Sequence, residues 1–255
     1  MNSLRMMSGV TPATETKNIS MKADVYSDTN LIGTTNLQII DESMGCLQGV
    51  FLPTDYYFEH IQKFVRKFWK TNKPHFDIWN SLRINIQLEN GYFIFAQGGV
   101  TFDDSPNFPN EPLRIDVSGV DSHVIEDFFK VLPPKPFLQE PWTTISIEQK
   151  IAFEDELRKE IGSTSNQSSF FNFFKSKKQD HILIGFTTSA LCKFQSNDDV
   201  LFVSRNPKIK SKFVVVHLTW KGNKESGTFP SIRFYESFEQ FINLRMKVDI
   251  ADWDE

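Results

Sequence analysis

The residues able to do chemistry are scattered along this chain. Asp103-Asp104 and Asp198-Asp199 are neighbouring carboxylates of the kind that could chelate a cation. Each pair, however, sits among Ser, Asn or Pro residues that favour turns through local side-chain hydrogen bonds. The histidines His60, His75, His123, His181 and His217 are dispersed, and His217 lies between Val216 and Leu218 in a strand-like run. Such a position suits a satisfied inter-strand imidazole better than a general base. Ser189 and Ser204 stand outside any Gly-x-Ser-x-Gly elbow. Gly98-Gly99 lacks the strand-to-helix context of a phosphate loop and reads as a tight turn or bulge. There is no HExxH, Cys-x-x-Cys, Gly-x-Gly-x-x-Gly or Walker sequence. The reading is therefore of a chain with no catalytic residues, no metal ligands and no cofactor. An enzyme would have to assemble its site from separated residues such as Asp199, His217 and Glu225.

The elements that would position these residues fall into two halves. Val131–Trp142 holds Pro133, Pro134, Pro136 and Pro141, which neither a helix nor a central strand tolerates. The expected organisation is a flexible extension over 1–20, an α+β domain over 21–132, a proline-rich linker over 133–141 and a second α+β domain over 142–255. Each domain is expected to be an antiparallel sheet with helices on one face.

In the first half, Asn36–Ile40 and Leu47–Phe51 read as strands, and Pro53-Thr54-Asp55 opens a helix. The apolar stripe Tyr57, Ile61, Phe64, Val65 and Phe68 follows a helical period. Leu82, Ile84, Ile86 and Leu88 alternate with polar residues, which predicts a half-buried strand. Asn90-Gly91 then predicts a hairpin into Tyr92–Phe95, because a type I′ turn needs positive φ at both central residues. Strand Leu113–Val117 and a helix from Ser122 to Leu132 complete this half.

In the second half, Ser146-Ile-Glu-Gln149 is a capping box opening a helix that Gly162 ends, with Glu154→Arg158 and Asp155→Lys159 as supporting pairs. The Phe170–Phe174 cluster is expected to be mostly core, with one or two rings at an interface. Strands are expected over His181–Phe194, Val200–Ser204, Lys212–Trp220 and Ile232–Tyr235, then a helix from Ser237.

Composition narrows the function classes. The chain has 255 residues, 40% hydrophobic and 24% charged, as in a globular protein. No apolar run approaches the roughly 20 residues that span a bilayer, and no secretory leader is evident over the first twenty, so a cytoplasmic protein is expected. Cys46 and Cys192 read as two reduced thiols. The net charge of −4 is unevenly distributed: residues 21–140 sum to −6 and 141–255 to +1. Nucleic acid is not an expected partner, since no basic domain or recognition motif is present. A basic protein partner is consistent with the acidic half. Asp103, Asp104 and Glu111 in one loop, with Asp121, Glu126 and Asp127 on the next loop and helix, are the candidate partner-binding residues.

The second half contains Asp198-Asp-Val-Leu-Phe202, Val216-His-Leu-Thr-Trp220, Glu225, Phe229-Pro230 and Asp249–Trp253. With its Ser146-capped helix it resembles immunity-type bacterial proteins encoded beside polymorphic toxins. The first half, where Asp41–Gly45 leads to Phe51–Asp55, resembles other proteins of such loci. This resemblance implies a non-enzymatic protein that neutralises a cognate toxin by binding it. An adaptor in a secretion system is a further reading, beside the enzyme.

Overall fold

A computed structural model describes residues 19–70, 76–108, 110–162, 181–206, 209–225 and 229–253. The Phe170–Phe174 cluster, His75 and most of the expected N-terminal extension lie outside the described residues. The fold is α+β, with one antiparallel sheet of six strands and one of five.

The first sheet has the order β4-β1-β2-β3-β6-β5. Its strands are β1 (Met21–Ser27), β2 (Asn30–Asp41), β3 (Cys46–Pro53), β4 (Ile84–Leu88), β5 (Gly99–Asp103) and β6 (Arg114–Ser118). Alternation buries Leu47 and Phe51 on β3 and leaves Val50 and Leu52 exposed, so one face packs inward and the other stays open. The inner face takes the helical stripe foreseen in the sequence. The π-helical turn Tyr57–Ile61 runs into α1 (Gln62–Lys70), and Tyr57, Ile61 and Val65 are buried. Tyr57 and Phe102 both pack on Phe51, at ring separations of 5.1 and 5.0 Å. A short helix, α2 (Phe76–Ser81), follows, and Trp79 reaches Phe102.

A turn forms here, but not the expected type I′: Gly91 alone has positive φ (+89°), Asn90 does not, and the Gly91 N–H donates to the Leu88 carbonyl, so Glu89 and Asn90 are the central residues. The Tyr92–Phe95 strand expected after it does not continue the ladder beyond a single bridge between Gln87 and Phe93. Tyr92 instead turns into the core, where its ring meets Phe128 and Phe137. The helix predicted at Ser122 is α3 (Ser122–Val124), prolonged by a π-helical turn Ile125–Phe129.

The second sheet has the order β11-β10-β9-β8-β7. Its strands are β7 (Trp142–Thr144), β8 (Thr187–Phe194), β9 (Asp199–Arg205), β10 (Phe213–His217) and β11 (Ser231–Tyr235). The strand expected over His181–Phe194 is thus shortened at its start, because His181 is drawn to the Pro230 carbonyl (3.1 Å) and Leu183–Phe186 form a turn. Helix α4 (Ile147–Ile161) carries the foreseen capping box, and Gly162 closes it at φ +72°. The C-terminal helical segment comprises α5 (Phe238–Phe241), a π-helical turn Ile242–Met246 and α6 (Lys247–Trp253). Phe241 packs edge-on to Trp142 and Tyr235.

Buried apolar side chains from both sheets join in one continuous core. The proline-rich segment 133–141 contributes to it, since Phe137 lies between Tyr92 (4.8 Å) and Phe238 (5.7 Å). Gly91 lies against β7, where an added Cβ would meet Thr144 at 2.4 Å.

Candidate functional site

The six carboxylates singled out from the sequence take three different environments. Asp103 ends β5 on the outward side of the pleat, exposed and in register with Arg114. Glu111 is exposed in the following loop, its N–H donating to the Phe108 carbonyl. Neither Asp103 nor Glu111 makes a side-chain ion pair among the described residues.

Asp104, the next residue, points inward and is 4% exposed. It accepts hydrogen bonds from Tyr57 Oη (3.0 Å), Gln62 Nε2 (2.9 Å) and Arg66 Nε and Nη2 (3.1 and 2.9 Å). Four donors around one buried carboxylate make it an anchor between β5 and α1. The same burial, with the Asp104 charge beside it, raises the Tyr57 phenol well above its usual range.

Asp121 caps α3 and accepts from His123 Nδ1 (3.0 Å), Arg205 Nη2 (3.0 Å) and Lys212 Nζ (2.8 Å). Burial opposes its ionisation, but the hydrogen bonds and charges of His123 and Lys212 outweigh that and hold it below the usual carboxylate range. Glu126 is paired with Lys130 (2.9 Å) and Asp127 with Lys135 (2.5 Å). The fold therefore turns Asp104, Asp121, Glu126 and Asp127 to internal partners and presents Asp103 and Glu111.

Beside β5 stand exposed aromatic rings. Trp69 Nε1 donates to the Phe102 carbonyl (2.7 Å), which fixes the indole on the sheet edge while half its surface stays open. Phe68 bridges Trp69 and Phe76, and Phe76 and Phe108 are each 60% exposed. The signal for these rings was present only as aromatic-rich sequence. Nothing in the spacing told exposed from buried.

The dispersed residues of the enzyme reading are partly brought together. His217 Nδ1 lies 2.8 Å from Asp199 Oδ1, with the imidazole half-exposed. Asp199 Oδ2 accepts from Arg245 Nη2 (2.8 Å), whose Nε binds Asp249. Ser231 is in register on the other side of His217, so Asp199, His217 and Ser231 form a cross-strand row. Glu225 is not part of it, because Glu225 accepts from Thr219 Oγ1 (2.6 Å) and pairs with Lys221 (2.9 Å). Asp198 is likewise taken elsewhere, by Trp220 Nε1 (3.0 Å). Ser231 and Arg245 were missed in the sequence, since strand register alone brings Ser231 opposite His217 and Arg245 reaches Asp199 from the C-terminal helical segment.

The chain matches no protein-family model, no characterised protein and no solved structure.

The remaining polar residues of note are structural. The helix pairs expected as Glu154→Arg158 and Asp155→Lys159 are replaced. Glu154 turns to Lys150 (2.5 Å), Asp155 to Arg83 (3.0 Å) and to Arg158, and Lys159 to Glu156 (3.3 Å). The reason is tertiary: Glu154 Oε1 also accepts the Ala190 N–H on β8 (3.1 Å). Lys150, buried and resting on the Phe93 ring, donates to Ser189 Oγ (2.5 Å) and the Ala190 carbonyl (3.2 Å). Burial lowers the affinity of its amine for a proton, and Glu154 opposes that. Gly99 sits at φ +91° in a turn closed onto Ala96, as the bulge reading of Gly98-Gly99 expects. Cys46 and Cys192 are free thiols, and burial pushes the Cys192 thiol up.

Proposed function

We propose that this chain is a non-enzymatic immunity-type protein that neutralises a bacterial toxin by occupying its basic working surface. The observation that carries this reading is the β5 edge. There Asp103 and Glu111 stand exposed, without ion pairs among the described residues, beside open Trp69, Phe76 and Phe108. Aromatic anchors within a charged surface are the composition of energetic centres in protein–protein interfaces. Carboxylates on an exposed loop can take the place of phosphates in the cationic cleft of a nucleic-acid-cutting toxin, and they steer its approach. The proposed place of action is the cytoplasm.

The test is co-expression with the toxin encoded beside this chain. A stable one-to-one complex and restored growth are expected. Asp103→Lys with Glu111→Lys should slow association about tenfold at low salt, the difference shrinking as salt rises. Absence of a complex would overturn the proposal.

The Asp199–His217–Ser231 row favours one second reading, a hydrolase in which His217 is the base for Ser231. Ester hydrolysis by the purified protein that is abolished by both His217→Ala and Ser231→Ala would establish it in place of the first.

A further inference from the structure

The two sheets face each other across a cleft of about 650 Å³, whose walls include Trp79, Ile84, Phe95, Ala96, Thr187 and Thr188. Its size is that of a ligand site. The wall formed by β8 has an uncommon property. Strand β7 covers only Cys192–Phe194 of β8, so among the described residues no strand pairs with Thr187–Leu191 on that side. At Ala190 that edge is closed by side chains: Glu154 accepts its N–H and Lys150 donates to its carbonyl. A Lys–Glu pair one helical turn apart thus supplies the two hydrogen bonds that a neighbouring strand would supply.

Residues two apart in an antiparallel strand direct their backbone groups the same way. Thr188 precedes Ala190 by two in unbroken register with β9, opposite Ser204. Its N–H and carbonyl therefore also point away from β9. The Ser204 N–H is consistent with this, since it donates to the Lys212 carbonyl on the far side (2.7 Å). No side chain of α4 closes Thr188 as Lys150 and Glu154 close Ala190. Across the cleft, β4 ends in the same state. Ile86 accepts from the Ile94 N–H on its outer side, so Ile84, two residues earlier, also turns its backbone groups outward.

We propose that this cleft receives an extended segment of a partner protein, which adds as a strand to β8 by pairing with the backbone of Thr188. Main-chain groups of an open edge give such a segment its affinity, and pockets for alternate side chains give it specificity. Here Trp79, Ile84 and Phe95 supply the apolar part of a lining that also holds Arg83, Glu154 and Arg205, so the segment carries apolar side chains where it meets the first three. The cleft reaches the start of β5 at Gly99 and Val100, but neither Asp103 nor Glu111 lines it, and the proposal does not rest on the identity of the toxin.

The full chain is screened against a phage-displayed library of random linear dodecapeptides, and enriched sequences are synthesised and titrated by amide NMR. The expected result is a shifted and exchange-protected Thr188 amide. Thr188→Pro should weaken binding about tenfold or more, the loss of one backbone hydrogen bond. Proline is tolerated at an edge position whose N–H faces outward. Ala96→Trp, which fills the cleft, should do the same, and it decides the matter if Thr188→Pro does not fold by circular dichroism. Asp103→Lys should leave peptide binding unchanged. Failure to enrich any peptide, unchanged affinity in the folded variants, or shifts confined to residues outside the cleft would overturn the proposal.

Discussion

Asp121 and Arg205 are joined at 3.0 Å across the two sheets, one at the cap of α3 and the other at the end of β9. Lys212 shares the same carboxylate oxygen, and His123 takes the other. This carboxylate, expected from the sequence to meet a partner, fastens the molecule to itself.

Its protonation gives the first prediction. The folded carboxyl titrates below its unfolded value of about 3.9, so its stabilisation is fully present above that pH and fades as pH falls toward the folded value. Asp121→Ala should cost about 2–3 kcal/mol at pH 7, because Lys212 and Arg205 lose a partly buried partner. Urea denaturation at stepped pH should show the gap between wild type and variant closing below about pH 4.

Adjacent aspartates should behave oppositely. Asp104→Ala removes the acceptor of Tyr57, Gln62 and Arg66 and should cost about 3 kcal/mol in chemical denaturation. Asp103→Lys, on the outer side of the pleat, should change stability by less than about 0.5 kcal/mol. Equal losses in the two variants would contradict the alternation on which the exposed-edge reading depends.

The Lys150–Glu154 clasp predicts strong non-additivity. Lys150→Met should cost about 3–5 kcal/mol, since it leaves Glu154 charged and partly buried beside the Ala190 amide. Adding Glu154→Gln should recover part of that loss, because the amide oxygen can still accept the Ala190 N–H without an uncompensated charge. A double-mutant cycle by thermal denaturation measures the coupling.

Gly91 predicts a steric and conformational penalty. Gly91→Ala places a Cβ at φ +89° and 2.4 Å from Thr144, and should cost about 2–3 kcal/mol. Thr144→Ser in the same chain should return only part of the loss, because it removes the Cγ2 contact but leaves the Thr144 Cβ at 2.9 Å and the positive-φ strain. Full recovery would mean that the turn, not the packing of β7, tolerates a side chain.

What the sequence determined by itself was what local rules govern. The capping box of Ser146 and Gln149, the stop at Gly162 and the alternation of Ile84, Ile86 and Leu88 all depend on groups within a few residues of each other. They could be read directly, and with them the α+β class. The partners of Asp121 lie 84 and 91 residues away, and His123 adds a local bond that no spacing rule would rank above them. Likewise, Asp199, His217 and Ser231 share a row only because β9, β10 and β11 pair in one register, where a one-residue slip would separate them. Glu154 had a good local partner in Arg158, yet it turned to Lys150 and Ala190. A buried strand edge must have its backbone groups satisfied, and that requirement outweighs an exposed helix pair worth a few tenths of a kcal/mol.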